Sequence, residues 1–278
     1  MAESFLIALR EGFEAALIVA IVLAFVRRQA PHQARAVWVG TAAAVVLAVV
    51  VGLVLTTTLG GLDGAPRQRT FAAIGIAAAV LLTWMIFWMR THARGMRGEL
   101  EGKAGVALAT GSSLGLALVA FAAVAREGLE TALFLLSITG SADGGEVALG
   151  TGLGLALAAV LGVLVYRGSR RLDMRRFFLI TGALIILFAA GLLARSVGLL
   201  QSVGDLGTAN DAVYDLTEYS WLTVDSQSGR FLAGIFGWDP RPSLEQVFGY
   251  LAFAVPIGIM FFRGSRPART PVAASSLQ

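Results

Sequence analysis

ALREGFEAALIV, residues 8–19, places Arg10, Glu11 and Glu14 inside a stretch that is otherwise almost wholly apolar. The apolar run around it, about residues 4–26, is long enough to cross a bilayer, which takes roughly 20 residues. A charged side chain at mid-membrane costs about 2.5–3.5 kcal/mol even on a lenient insertion scale. Three in one span need partners, and whatever they face fixes both the fold and the function.

The whole chain points to lipid as its solvent. It has 278 residues, 56% of them hydrophobic and only 14% charged, with a mean hydropathy of +0.75. Soluble domains carry about 25% charged residues. There is no cysteine, which excludes disulfides, thiolate metal sites and cysteine nucleophiles. A net charge of +4 is read as topological and not as a nucleic-acid footprint, because basic residues belong in cytoplasmic loops. The N-terminus lacks a basic leader and an evident cleavage site, so the first apolar segment is taken as retained.

Seven apolar segments are predicted, at about 4–26, 36–60, 70–89, 111–138, 146–166, 177–200 and 246–262. Fifteen of the 22 Lys and Arg residues fall in the first, third and fifth loops and the C-terminal tail; four fall in the second, fourth and sixth loops. The N-terminus is therefore predicted outside and the C-terminus inside. The remaining three arginines, Arg10, Arg126 and Arg195, lie within spans, Arg195 near enough to the outer end to snorkel. The sixth loop, residues 201–245, is acidic and rich in aromatic residues, and is read as an ordered outer cap.

The opening motif has a twin. Arg126-Glu127-Gly128-Leu129-Glu130 repeats Arg10-Glu11-Gly12-Phe13-Glu14 in the fourth span. Gly40-Thr41 is echoed by Gly150-Thr151, and Arg69-Thr70-Phe71 by Arg175-Arg176-Phe177. The fold class is thus an all-α polytopic membrane protein of two inverted three-helix repeats plus a seventh helix. The units are residues 1–104, 105–200, the outer loop 201–245, and 246–278 with the last span and a basic tail. Gly111 and Gly115, spaced as GxxxG, are read as helix-packing glycines.

On an α-helix Glu11 and Glu14 share a face with Arg10, and Glu127 and Glu130 share one with Arg126. Glu14 and Glu130 lie at one depth, about 12–15 Å from the outer ends of antiparallel spans. Four carboxylates can then converge, with Gly12 and Gly128 turned toward neighbouring helices. Two arginines and four glutamates leave a formal −2, suited to a hard cation such as iron, magnesium, calcium or manganese. The plain alternative is a structural protein fastened by buried ion pairs. Enzymes of the di-iron or metalloprotease kind are not expected, since His32 and His92 both lie between spans.

The doubled Arg-Glu-x-x-Glu in spans one and four, and GIFGWDPRPSLEQVFGYLAF at 234–253, resemble the oxidase-dependent iron permeases, most closely the bacterial branch. The resemblance covers essentially the whole chain. It implies a multi-pass protein of the bacterial cytoplasmic membrane that imports ferric or ferrous iron. Carried over by position, Glu11, Glu14, Glu127 and Glu130 bind the metal, supported by Arg10 and Arg126. Iron is then substrate, with no tightly bound cofactor. The implied partners are a periplasmic iron-binding protein and a haem peroxidase; relatives assigned to lead leave the cation open. Glu3, Asp211, Asp215 and Glu218 are candidates for drawing cations in from outside. Ser112 and Ser137 share the face of Glu130 and either line the path or bond back to their own helix.

Overall fold

The computed structural model describes residues 1–92, 95–139, 144–167, 174–207, 212–223 and 226–263. Among them there is no β-strand. The helices are α1 (Ala2–Gln29), α2 (Ala34–Gly60), α3 (Gly64–His92), α4 (Met96–Ala109), α5 (Ser113–Thr139), α6 (Gly144–Tyr166), α7 (Met174–Ser202), α8 (Gln227–Phe236) and α9 (Leu244–Arg263). A 3-10 turn, Pro31–Gln33, joins α1 to α2.

Five of these helices, α2, α3, α6, α7 and α9, are long and apolar enough to cross a membrane. Their outer faces confirm the solvent they expect. Val39, Val46, Val50 and Leu53 of α2 are exposed, as are Leu149, Leu153 and Val160 of α6. In water such faces would drive aggregation; in hydrocarbon they cost nothing. α1 and α5 are as long, 28 and 27 residues, or about 40 Å. Each carries a mid-helix group of three ionisable residues, which sets it apart by composition and favours a place inside the bundle. α1 packs against α6, α5 and α4, and α5 against α2 and α1.

Helix pairing follows small residues. α1 lies on α6, where a Cβ on Gly12 would come 2.9 Å from Leu155 Cδ2 and 3.1 Å from Ala158 Cβ. α5 lies on α2, where a Cβ on Gly128 would come 2.7 Å from Ala48 Cβ. Gly40 of α2 meets the Ala117 carbonyl of α5; Gly150 of α6 meets the Met1 carbonyl at the start of α1. Gly162 faces Ala16, and Gly52 faces Ala132. α3 lies on α7, and α7 also carries α8 and α9.

The third interspan loop holds α4, which sequence periodicity did not announce and which straddles the 104/105 boundary. Leu100, Ala104 and Ala107 of α4 join Val22, Leu23 and Val26 of α1 and Leu116 and Ala120 of α5 in one buried cluster. α4 ends in a left-handed Gly111, φ +66°, with Ser112 N–H donating to the Ala107 carbonyl at 3.1 Å and Gly111 N–H to Leu108 at 2.9 Å. Gly111 is therefore a turn residue and not part of a packing GxxxG. Gly115 N–H then donates to Ser112 Oγ at 2.9 Å, which starts α5.

The segment between α7 and α9 contains α8. Ser226 Oγ accepts from Gly229 N–H at its start, and Gly237, φ +65°, turns the chain at its end. Gly237 packs directly on Gly191 of α7, an approach only two glycines permit. Ser243 and Gln246 cap α9 reciprocally: Gln246 N–H donates to Ser243 Oγ at 3.2 Å, and Ser243 N–H to Gln246 Oε1 at 2.8 Å.

Candidate metal centre

Along α1 and α5 a polar layer separates two apolar ones. Ile7 of α1 and Phe134 and Ile138 of α5 belong to one buried cluster, with α3 and α7. Ile18 to Val26 of α1 and Leu116 to Ala125 of α5 belong to the other. Between them lie the two motifs, brought face to face by the antiparallel crossing of their helices. Glu11, Glu14 and Glu127 each offer a carboxylate oxygen within 4.8 Å of the other two, and all three residues are buried.

The first motif is sealed. Arg10 Nη1 donates to Glu11 Oε1 at 2.8 Å and to Met85 Sδ of α3 at 3.2 Å. Its Nη2 lies 3.0 Å from Glu14 Oε1, yet that oxygen has no hydrogen-bond partner. The short distance gives Coulomb attraction without the alignment a hydrogen bond needs. In the second motif Arg126 Nε donates to Glu130 Oε1 at 3.0 Å and lies 4.0 Å from Glu127 Oε1. The Arg126 guanidinium stacks 4.3 Å over the Trp88 ring of α3. Glu130, one-fifth exposed and held by Arg126, stays outside the 4.8 Å group.

Each of the four glutamates keeps one buried oxygen without a hydrogen bond: Glu11 Oε2, Glu14 Oε1, Glu127 Oε2 and Glu130 Oε2. A buried polar atom left unpaired costs about 1–3 kcal/mol, more when it is charged. Glu11, Glu14 and Glu127 gather carboxylate oxygens within 4.8 Å, Glu14 Oε1 being ion-paired to Arg10, and oxygen donors of this kind suit hard or borderline cations.

The other sequence candidates lie elsewhere. Glu3 is buried, its Oε1 3.1 Å from Arg195 Nη2, which also donates to the Ala233 carbonyl of α8 at 3.4 Å. Arg195 thus turns inward to tie α1, α7 and α8 together in place of snorkelling. Ser137 donates to the Phe134 carbonyl at 2.6 Å on its own helix, and Ser112 caps α5. Asp215 accepts from Thr217 Oγ1 at 2.6 Å and pairs with Arg241 at 3.5 Å. The Thr217 hydrogen bonds hold its carboxyl below the usual range. Glu218 is exposed on the outer loop. Asp211 lies outside the described residues. Met85 and Trp88 enter the site unannounced; in TWMIFWM, residues 83–89, they read as ordinary span residues.

The chain is a multi-pass helical membrane protein, and its family and relatives place it among permeases, not enzymes. The chain belongs to the Iron permease FTR1 family, whose model matches residues 1–270. It is 37% identical over 261 residues to the Ferrous iron permease EfeU of Yersinia pestis, covering 93% of this chain and 92% of that one. It is 35% identical over 269 residues to the Ferrous iron permease EfeU of Escherichia coli O157:H7, covering 96% and 97%. No solved structure matches the chain.

Proposed function

We propose that this protein imports ferrous iron across the bacterial cytoplasmic membrane, using Glu11, Glu14, Glu127 and Glu130 as transient ligands. The observation that carries the reading is the buried group of Glu11, Glu14 and Glu127, whose carboxylate oxygens from α1 and α5 lie within 4.8 Å of one another, with Glu130 on the same face of α5 as Glu127. A divalent ion cancels the formal −2 of four glutamates and two arginines. The relatives' printed name, ferrous iron permease, favours Fe2+ among the cations that charge alone would admit.

The seven-span, inverted-repeat reading supplies the path, with the N-terminus outside and the C-terminus inside. Its support is an exchange of contacts. Gly12–Ala158 on α1 and α6 corresponds to Gly128–Ala48 on α5 and α2, and Gly150–Met1 to Gly40–Ala117. Residues 116 apart on one helix pair with residues 110 apart on the other, as a two-fold axis in the membrane plane requires. The ion comes from the acidic outer loop, with Asp215 and Glu218 raising its local concentration, and passes the Glu3–Arg195 pair. It then loses water to the glutamates and leaves inward as the repeats move. A potential of 100 mV supplies about 2.3 kcal/mol per charge, roughly 5 for a divalent ion. A periplasmic iron-binding protein and a haem peroxidase remain the proposed partners on the outer side.

The test is uptake into proteoliposomes under an inside-negative potential, with Fe2+ kept reduced and Fe3+ supplied separately. Wild-type protein takes up Fe2+ and gains thermal stability from it. Glu14→Ala and Glu130→Ala insert normally, lose uptake, and no longer respond to iron. Unimpaired uptake by either variant would remove the glutamate set from the transport step.

A further inference from the structure

Four carboxylates and two arginines in a dry site pose a problem of competition. A guanidinium presents five donors in a fork that grips a carboxylate through both oxygens. Left free among four glutamates, two such forks would chelate the oxygens that a cation needs. They do not. Arg10 gives an Nη1 hydrogen bond to Met85 Sδ at 3.2 Å, while Glu11 Oε2 has no partner. A thioether is a far weaker acceptor than a carboxylate. Arg126 reaches Glu130 through Nε and lays its plane on Trp88, while Glu130 Oε2 and Glu127 Oε2 have no partner. Both arginines keep carboxylate contacts, Arg10 with Glu11 Oε1 and Glu14 Oε1 and Arg126 with Glu130 Oε1, but each turns a further donor or face to α3 and not to a second oxygen of the same glutamate.

One helix imposes this. Met85 and Trp88 are three residues apart on α3 and share a face. Met85 is 1% exposed and packed among Leu82, Ile86 and Met89 of its own helix and residues of α5 and α7, so its sulfur cannot follow the arginine elsewhere. Trp88 packs against the same cluster and lies beside Trp84, with ring centroids 6.2 Å apart. Guanidinium is weakly hydrated and polarisable, so a thioether and an indole face hold it without neutralising it.

Resting on the reading of the glutamates as cation ligands, we propose that Met85 and Trp88 are positioning residues. They hold Arg10 and Arg126 at the edge of the carboxylate cluster, in contact with only one oxygen of each glutamate they touch, so that the other oxygens stay open to the transported cation. α3 contributes no ligand itself; it sets how strongly the protein's own cations compete with the incoming one.

The experiment uses the full-length protein in proteoliposomes, with Fe2+ as probe and initial uptake measured against its concentration. Packing and positioning predict opposite orders at Met85. Leucine matches methionine in volume and apolarity and is well tolerated where methionine only fills space. Glutamine keeps an acceptor for Arg10 and packs worse. The expected result is that Met85→Leu raises KM about tenfold with maximal rate little changed, the loss of one hydrogen bond from a charged donor. Met85→Gln stays close to wild type. Trp88→Leu raises KM by about three- to tenfold, the range of a cation–π contact, and Trp88→Phe restores most of it. If Met85→Leu behaves as wild type while Met85→Gln is impaired, Met85 merely packs and the proposal is wrong. Where a Met85 variant fails to fold, judged by its iron-free melting temperature, the Trp88 pair decides alone: equal KM for Trp88→Leu and Trp88→Phe overturns it. Absence of both uptake and iron-dependent stabilisation in wild-type protein is a different failure, that of the permease reading, and takes this proposal with it.

Discussion

REGFE on α1 and REGLE on α5 differ at one residue, yet their surroundings are unlike. Arg10, Glu11 and Glu14 have side chains 3%, 1% and 3% exposed; Arg126, Glu127 and Glu130 are 35%, 6% and 20% exposed. On the proposed inverted repeat, the two-fold relation would stop at the motif backbone. It is broken by α3, which gives a sulfur to one arginine and an indole face to the other. On the proposed repeat, matching Phe71 to Phe177, the α7 positions equivalent to Met85 and Trp88 are Gly191 and Ala194. That space on α7 is filled by Gly237 at the end of α8. Nearly identical motifs thus make a site with one half sealed by protein and one half less enclosed.

The sharpest way to break this contrast is to remove each arginine. Arg10→Ala leaves Glu11 and Glu14 fully buried without their cation, and should destabilise the iron-free protein by about 3–5 kcal/mol. Arg126→Ala acts on a pair that the protein encloses less tightly and should cost less than Arg10→Ala. Thermal unfolding in detergent compares the two directly. Equal losses would mean that the difference in exposure has no energetic content.

The sequence made the motif helices legible because charge in an apolar run has few explanations. It also marked Gly12 and Gly128 as contact glycines, since they fall off the carboxylate face. It did not reveal α4, whose alternation is weak and whose partners, Val22 and Leu116, lie about 70 residues back and about 20 residues ahead of its start in the chain. Nor did it mark Met85: a methionine in an apolar span looks the same whether it touches leucine or arginine. Glu3 was visible as an acid on the right face, but its pairing with Arg195 needs a 192-residue separation to close.

The glycine contacts carry the next prediction, of intermediate size. Gly40→Ala drives a methyl group into the Ala117 carbonyl inside α5, and Gly150→Ala drives one into the Met1 carbonyl. Backbone cannot rotate away as a side chain can, so overpacking should cost about 1–3 kcal/mol. Met1 lies at the first turn of α1, where a helix can fray, whereas Ala117 is held on both sides. The Gly40 substitution should therefore lower the melting temperature more. The reverse order would show that the α1–α6 contact is the stiffer of the two.

The smallest expected effect lies at the exposed ends of α3 and α7, where charge chemistry like that of the motifs is far less enclosed. Arg69 at the start of α3 donates through Nε and Nη2 to Asp205, just after α7, both at 2.7 Å. The side chains are 54% and 35% exposed. The hydrogen bonds from Arg69 hold the Asp205 carboxyl below its ordinary range. A lowered folded-state pKa means the contribution is present above the unfolded value and is lost as pH falls through the folded one. Wild-type protein should melt slightly above Asp205→Asn at neutral pH, and the gap should close once the pH falls below the ordinary aspartate range. Added salt should narrow it at neutral pH, as screening of an exposed pair requires. A gap that persists in acid or grows with salt would assign the contact to packing of α3 against α7, and would remove the distinction drawn here between buried and surface arginines.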